Sequence, residues 1–472
     1  MFLTAETGHV RFMPSAASAD RDNSPYDPHQ ALCRSVGLSA GPYPLGKRKI
    51  EIDQLLDDLP SRHHCSQLKD IFFSSFASLF HILHDPMFNK QYEDFEQALE
   101  SVSLSWLALL YAIIGTSVMA LGPSSGLLND LSRKELVADQ IAELSERYRS
   151  AAFKCLQADN YLRQQNMTTL QALIILIYSI DHSHGQTWIL LGMSYHIALS
   201  LGCHIDPSEF RLDVIRCEER RRCWAGIMVL YMIQAMSLGR LGSDPSTASK
   251  GVQMPSDLND LDLIADEYIL PITFNRPSQM SYLLLKFRLY EIANEGSSMV
   301  RTSLHTPSSL ISRLDQRILN EQRSWHDKYL SQSGLAALPV YHKVHFNILQ
   351  GCSHQLMLLL HNHALRRSVV DSEQCRLSVS RVAHSAENTL HMHTELFTKK
   401  IFSPFRWYLR GIGSFHAYHA AVSLIAALTE RSWGLTHKDV LSMVRQCAER
   451  FGALTETSII CNKALPVLRH VL

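Results

Sequence analysis

Residues 219–236 read ERRRCWAGIMVLYMIQAM, and this stretch decides the fold. Trp224, Ile227, Met228, Tyr231, Met232 and Ala235 follow one another at helical spacing, the pattern of an apolar stripe along one side of an amphipathic α-helix. Gly239 closes the segment. Just before the stripe stand Glu219, Arg220, Arg221 and Arg222. Each helical residue turns roughly 100 degrees, so three successive arginines fan out over about 200 degrees. They cannot all face one phosphate track. One or two are expected to reach buried or loop carboxylates and tie helices together through the guanidinium fork. Glu218 and Glu219 beside them argue against a direct nucleic-acid contact.

Helical patterns continue on both sides. Thr187 opens a segment carrying Trp188, Leu191, Tyr195, Ala198 and Leu199, with Gly202 in the position that follows a helix C-cap. Upstream, Thr168 and Thr169 can cap a segment with Leu170, Leu173, Ile174, Ile177 and Tyr178 on one face, broken at Asp181 to Gly185. The aromatic-rich run from Leu68 to Leu83 stops at Asp85-Pro86. Downstream, Gly242 to Ser256 reads as a polar loop and Asp257 to Asp266 as an acidic one. Further helices are expected over Ser309–Leu330, His342–Leu365, Leu377–Phe397 and Ser414–Leu428. Nothing alternates at period two, and no strand–helix alternation or fixed-length repeat is visible. With 46% apolar residues and only 21 Gly and 17 Pro in 472, the chain reads as all-α. The expected architecture is a large multi-helix domain over 51–430, C-terminal helices over 431–472 packed on it, and a disordered leader over 1–50.

Bulk chemistry narrows the function. Forty-five basic residues balance 45 acidic ones, without the excess that phosphate binding usually demands. Ten cysteines include no CxxC pair, so buried free thiols are expected and not a zinc site or a disulfide framework. Leu104 to Leu121 is apolar enough to cross a bilayer, but Ser105, Gly115, Thr116 and Ser117 dilute it and no basic cluster flanks it. It reads as a buried helix. Gly122-Pro123-Ser124-Ser125-Gly126 fits GxSxG in letters but lacks the strand that would hold a nucleophilic serine. His361 with His363, and His391 with His393 and Glu395, are the densest histidine groups. On a helix, His-x-His points its rings apart, which is poor for one metal. Trp188 and Trp224 are expected as core anchors, Gly192 as a close helix crossing, and His204 as a cap on free helix-end carbonyls. Lys47, Arg48 and Lys49 form a short basic run. A helical enzyme or, less favoured, a membrane-associated helical protein are the other readings.

Several stretches together resemble the fungal-specific transcription factor domain, the middle region of fungal zinc-cluster regulators. Leu59-Pro60-Ser61-Arg62, Leu68 to Phe73, and LFHILHDPMF at 79–88 with His84, Pro86 and Phe88 look like its opening. Trp188, Gly192, Ala198, Leu201, Gly202 and His204 match its central segment. Glu219, Arg220, Arg221, Arg222 and Trp224 match its Glu-Arg-Arg-Arg-x-Trp helix, followed by Gly239-Arg240 and Met254-Pro255. Cys203, Ile205, Ala225 and Leu241 depart from the usual residues. In such proteins a six-cysteine cluster precedes this domain and places a helix in the major groove. Here residues 1–60 hold only Cys33, while Gly8-His9-Val10-Arg11-Phe12 resembles text that follows the cluster. The resemblance implies a nuclear regulator of a metabolic or secondary-metabolite gene cluster, reaching DNA only through a missing module or a partner. It further implies co-regulators or a small-molecule effector as partners, leaves homodimerisation open, and places no membrane association, metal or other cofactor in this chain. Zinc belongs to the absent cluster alone.

Overall fold

The structure, a computed structural model, describes residues 2–3, 10–11, 52–122, 125–183, 187–238, 251–263, 276–300, 308–330, 337–361, 373–428 and 436–472. Among them are sixteen α-helices. In order these are α1 (Ile52–Leu56), α2 (Arg62–Ile71), α3 (Asp85–Gln97), α4 (Leu104–Val118), α5 (Gly126–Leu131), α6 (Val137–Ala158), α7 (Met167–His182) and α8 (Trp188–Ser200). Then follow α9 (Val214–Ser237), α10 (Ser281–Val300), α11 (Ser308–Leu330), α12 (Val340–His361), α13 (Glu373–Thr398), α14 (Ile412–Ala427), α15 (His437–Leu454) and α16 (Ile459–Val471). Two two-residue strands, Phe2–Leu3 and Val10–Arg11, pair antiparallel where no strand was expected. The rest of the expected leader, with Lys47 to Lys49, lies outside the described residues, as do Pro123, Ser124 and His363.

α9 differs from the expected amphipathic helix. From Arg220 to Met236 every residue is buried. Cys223, Ala225, Gly226, Val229, Leu230, Ile233 and Met236 fill the side opposite the stripe with apolar groups. A helix apolar all round is stable only inside a core. α4 is likewise enclosed, packed chiefly against α6 and α7. Among the described residues, no helix is long and apolar enough to cross a membrane.

Local chemistry explains where the elements begin. α7 starts two residues earlier than the threonines suggested, because the Asn166 side chain accepts from both the amide and the hydroxyl of Thr169 (2.8 and 3.1 Å). The aromatic run does not stay one helix. It passes through a π-turn at Phe72–Ala77, and Asp85-Pro86 opens α3 instead of merely ending the run. Proline suits that first turn, where its missing N–H would have no partner.

A single apolar cluster joins α1–α12 with the 3₁₀ segment Lys400–Arg410. Trp407 of that segment stacks on Phe76 at 4.1 Å, and Arg410 donates to the Met119 and Leu121 carbonyls beyond α4. A second cluster fills the space among α13–α16 and reaches α12 through Leu358.

Candidate functional site

The N-terminal half of α9 concentrates buried charge. Asp213 caps it by accepting from the Arg216 amide at 2.8 Å, which starts the helix where the three arginines must point inward. Arg221 forks onto Asp206, its NH2 reaching Oδ1 at 2.8 Å and its Nε reaching Oδ2 at 3.2 Å, while NH1 donates to Glu218 at 3.1 Å. Both carboxylates then hold the 251–263 segment. Asp206 accepts from the Gln253 amide at 2.8 Å, and Glu218 accepts from the Ser256 amide and hydroxyl at 2.8 and 2.9 Å. Burial works to raise the Asp206 carboxyl, but the Arg221 fork and the Ser208 and Gln253 donors outweigh it and hold it well below the usual range.

Arg222 is wholly buried and works on the opposite side. Its NH1 donates to the Leu83 carbonyl at 3.0 Å, and its NH2 lies 2.7 Å from Asp260 Oδ1. Asp260 also accepts from the Asp85 amide at 2.7 Å and meets His81 Nε2 at 3.0 Å. Its carboxyl is pushed up by burial yet ends far below the usual range, because His81 and Arg222 stabilise the charge. Burial raises Asp85 to about 6. His81, Asp85 and Asp260 bring ligand-type atoms within 4.8 Å of one another. The Arg222 guanidinium lies beside them, its NH2 next to Asp260.

Arg220 takes the third direction and donates to the Leu201 carbonyl at 2.8 Å. That carbonyl belongs to the C-cap of α8. Gly202 follows at φ 77°, a left-handed conformation that glycine adopts without a Cβ penalty. The Gly202 amide donates to Leu199 and the Cys203 amide to Ala198, the two bonds of a Schellman motif. The opening signature is placed with equal economy. His84 is the N-cap of α3, accepting from Met87 through Nδ1, and its Nε2 lies 3.2 Å from the Asp260 carbonyl. Pro86 sits in the first turn, and buried Phe88 stacks on Trp106 at 5.7 Å. Three helices and one extended segment therefore converge on a charged cluster sealed from water.

The description of the fungal specific transcription factor domain matches residues 70–333, more than half of the chain, and takes in α9 and the 251–263 segment. The chain belongs to this family. It is 23% identical over 392 residues to the transcriptional regulator AacuB of Aspergillus aculeatus, covering 79% of this chain and 51% of that protein. It is 25% identical over 415 residues to the fusarisetin A cluster transcription factor fsa6 of a Fusarium species, covering 82% and 52%. It is 24% identical over 382 residues to the aurofusarin cluster transcription factor aurR2 of Gibberella zeae, covering 79% and 54%. The chain spans about half the length of these curated relatives.

Within this family domain, three expectations need correction or fall outside view. Trp188 is no core anchor. It is 45% exposed, with its edge against Tyr231, and Ile189 beside it is 86% exposed, because the first turn of α8 projects beyond the helices it packs on. Trp224 is buried as expected for an anchor. Gly192 marks no close crossing, since a Cβ there would meet nothing within 4 Å. The close approaches occur at Gly226 against Ile82 and Phe80, and at Gly115, 3.2 Å from the Tyr148 Cβ. Arg220 reaches the helix-end carbonyl of Leu201, and the His204 ring lies against Trp224. Gly239 and Arg240 lie outside the described residues. Of the densest histidine groups, His391 is exposed, 3.8 Å from Glu395, while His361 and His393 are buried. His361 bridges Asp315 and Ser378, and His393 bridges Ser414 and Arg450.

Sequence reasoning missed Asp206, His81, Asp260, Gln253 and Ser256. Asp260 stands 38 residues after Arg222 and pairs with His81 across 179 positions. The one available signal was the acidic stretch from Asp257, which as composition reads only as a loop.

Proposed function

We propose that this chain is the regulatory domain of a fungal transcription factor controlling a metabolic, secondary-metabolite type gene cluster. The family match over residues 70–333 carries this reading. Two relatives named as cluster transcription factors, aligned over about four fifths of the chain, support the cluster assignment. The reading places the protein in the nucleus and has it reach DNA through a zinc-cluster module outside this sequence or through a partner protein. Co-regulators and a small-molecule effector are its proposed partners. The arginines of α9 are engaged by buried partners, most of them from other segments, so they are assigned to holding the domain's shape and not to bond chemistry. In such a domain an effector acts only through its different affinity for two packings. Deleting the gene and sequencing transcripts tests the reading. A coordinated set of biosynthetic transcripts should change at least severalfold and return on complementation, whereas an unchanged transcriptome would overturn it.

A further inference from the structure

One side of the 251–263 segment is clamped onto α9 by Asp206, Glu218 and Arg222. Its other side forms a wall of a cavity of about 370 Å³ shared with α10 and α11, within the size of roughly 300–1,000 Å³ usual for small-molecule sites. Met254 and Pro255 of the segment face Leu284 and Leu285 of α10 there, which gives the cavity an apolar body. Its charged lining is Asp257, Lys328 and Arg288. Asp257 is saturated: it pairs with Lys328 and accepts from the Ser278 and Ser281 hydroxyls at 2.6 and 2.7 Å. Arg288 lies 3.7 Å from the Glu321 carboxylate and within electrostatic reach of Glu291, with no hydrogen bond among the described residues, and its side chain is half exposed. The lining therefore carries two cations, Arg288 and Lys328, against one carboxylate, and Arg288 keeps guanidinium donors for an occupant.

We propose that this cavity binds a small organic anion, a carboxylate on a compact apolar body, with Arg288 receiving the carboxylate and Met254, Leu284 and Leu285 covering the body. This rests on the regulatory reading above and deepens it by naming the effector's chemical class. Arginine suits the role because its planar fork matches two carboxylate oxygens. Occupancy is transmitted through the wall that the ligand touches. Met254, Pro255 and Asp257 lie between or beside Gln253, Ser256 and Asp260, the residues that the α9 clamp holds. A ligand that braces this wall also braces the clamp. The arginines of α9 act as positioning residues for the cavity without touching the ligand.

The test uses the purified 472-residue chain with 2-naphthoate, octanoate and 3-phenylpropanoate, each beside its uncharged alcohol, by calorimetry and by amide hydrogen exchange. At least one carboxylate should bind saturably at one site, tenfold or more tighter than its alcohol. Arg288→Gln and the cavity-filling Ser324→Trp should each weaken it at least tenfold. Binding should slow exchange at the Gln253 and Ser256 amides. Circular dichroism and a cooperative melt establish that each variant is folded, and a misfolded Ser324→Trp would leave Arg288→Gln to decide. Saturable binding by none of the three carboxylates, or binding indifferent to both charge and Arg288, overturns the proposal. The transcript experiment is independent of it: a regulator with no anion site would still change transcripts, and an anion-binding chain that regulates nothing would leave them unchanged.

Discussion

Arg222 carries its charge inside the core. It is fully enclosed, and Asp260, the Leu83 carbonyl and, through Asp260, His81 all depend on it. Removing one member of a buried pair leaves the other charge in a medium that cannot solvate it, at a cost of about 3–5 kcal/mol. Arg222→Met should therefore lower unfolding stability in urea by about that amount. Adding Asp260→Asn should recover part of the loss, since it removes the stranded carboxylate. If the double variant is as unstable as the sum of the singles, the two side chains do not act as a pair. That arginines in this run would seek carboxylates was legible from their spacing and from the glutamates beside them. Which carboxylates they find was not, because Asp206 and Asp260 are brought there by chain crossings that no local pattern encodes.

At the scale of elements, the positions of the helices were largely legible and the tightness of their crossings was not. Periodicity sees which residues are apolar, so it finds α7, α8 and α9. It cannot see whether a glycine faces a neighbour or empty space. Gly192 illustrates one outcome and Gly411 the other. A Cβ at Gly192 meets nothing, so Gly192→Ala should raise stability by about 1 kcal/mol through helix propensity alone. At Gly411 a Cβ would sit 2.5 Å from the His182 carbonyl oxygen, a backbone atom that cannot swing aside. Gly411→Ala should cost about 1–3 kcal/mol by overpacking and loosen the junction between α7 and the Lys400–Arg410 segment. Thermal unfolding of the two variants checks the pair, and a shift of the same sign in both would contradict this account. The same blindness explains α9. Its stripe was visible, yet its polar-looking start is buried as well, because the charges are neutralised by partners from other segments.

The whole molecule buries an unusual amount of imidazole. His342 is pulled down to about 4, and His354, His393 and His416 to about 3, each first by burial, and His84, His345 and His419 are lowered for the same reason. In the unfolded chain these rings protonate near 6.5, while in the fold they stay neutral until far lower pH. The unfolded state therefore takes up more protons as pH falls below about 6.5, and stability is lost progressively down to about pH 3–4. Asp85 and Asp181 oppose this, because burial raises them to about 6 and about 7, so the fold binds their protons first. The histidines outnumber them. The melting temperature should fall between pH 7.5 and pH 5, and a rise over that interval would show that the buried rings are charged.

These scales meet in one claim: a helical body, organised around the arginine clamp of α9, serves to control transcription. Tethering tests it most directly. The 472-residue chain is fused to an unrelated DNA-binding domain and directed to a reporter promoter in a fungal nucleus, with the DNA-binding domain alone as reference. The account predicts a severalfold change in reporter transcript, up or down, that Arg222→Met reduces at equal protein level. A stably expressed, nuclear fusion that leaves the reporter at the reference level would contradict it.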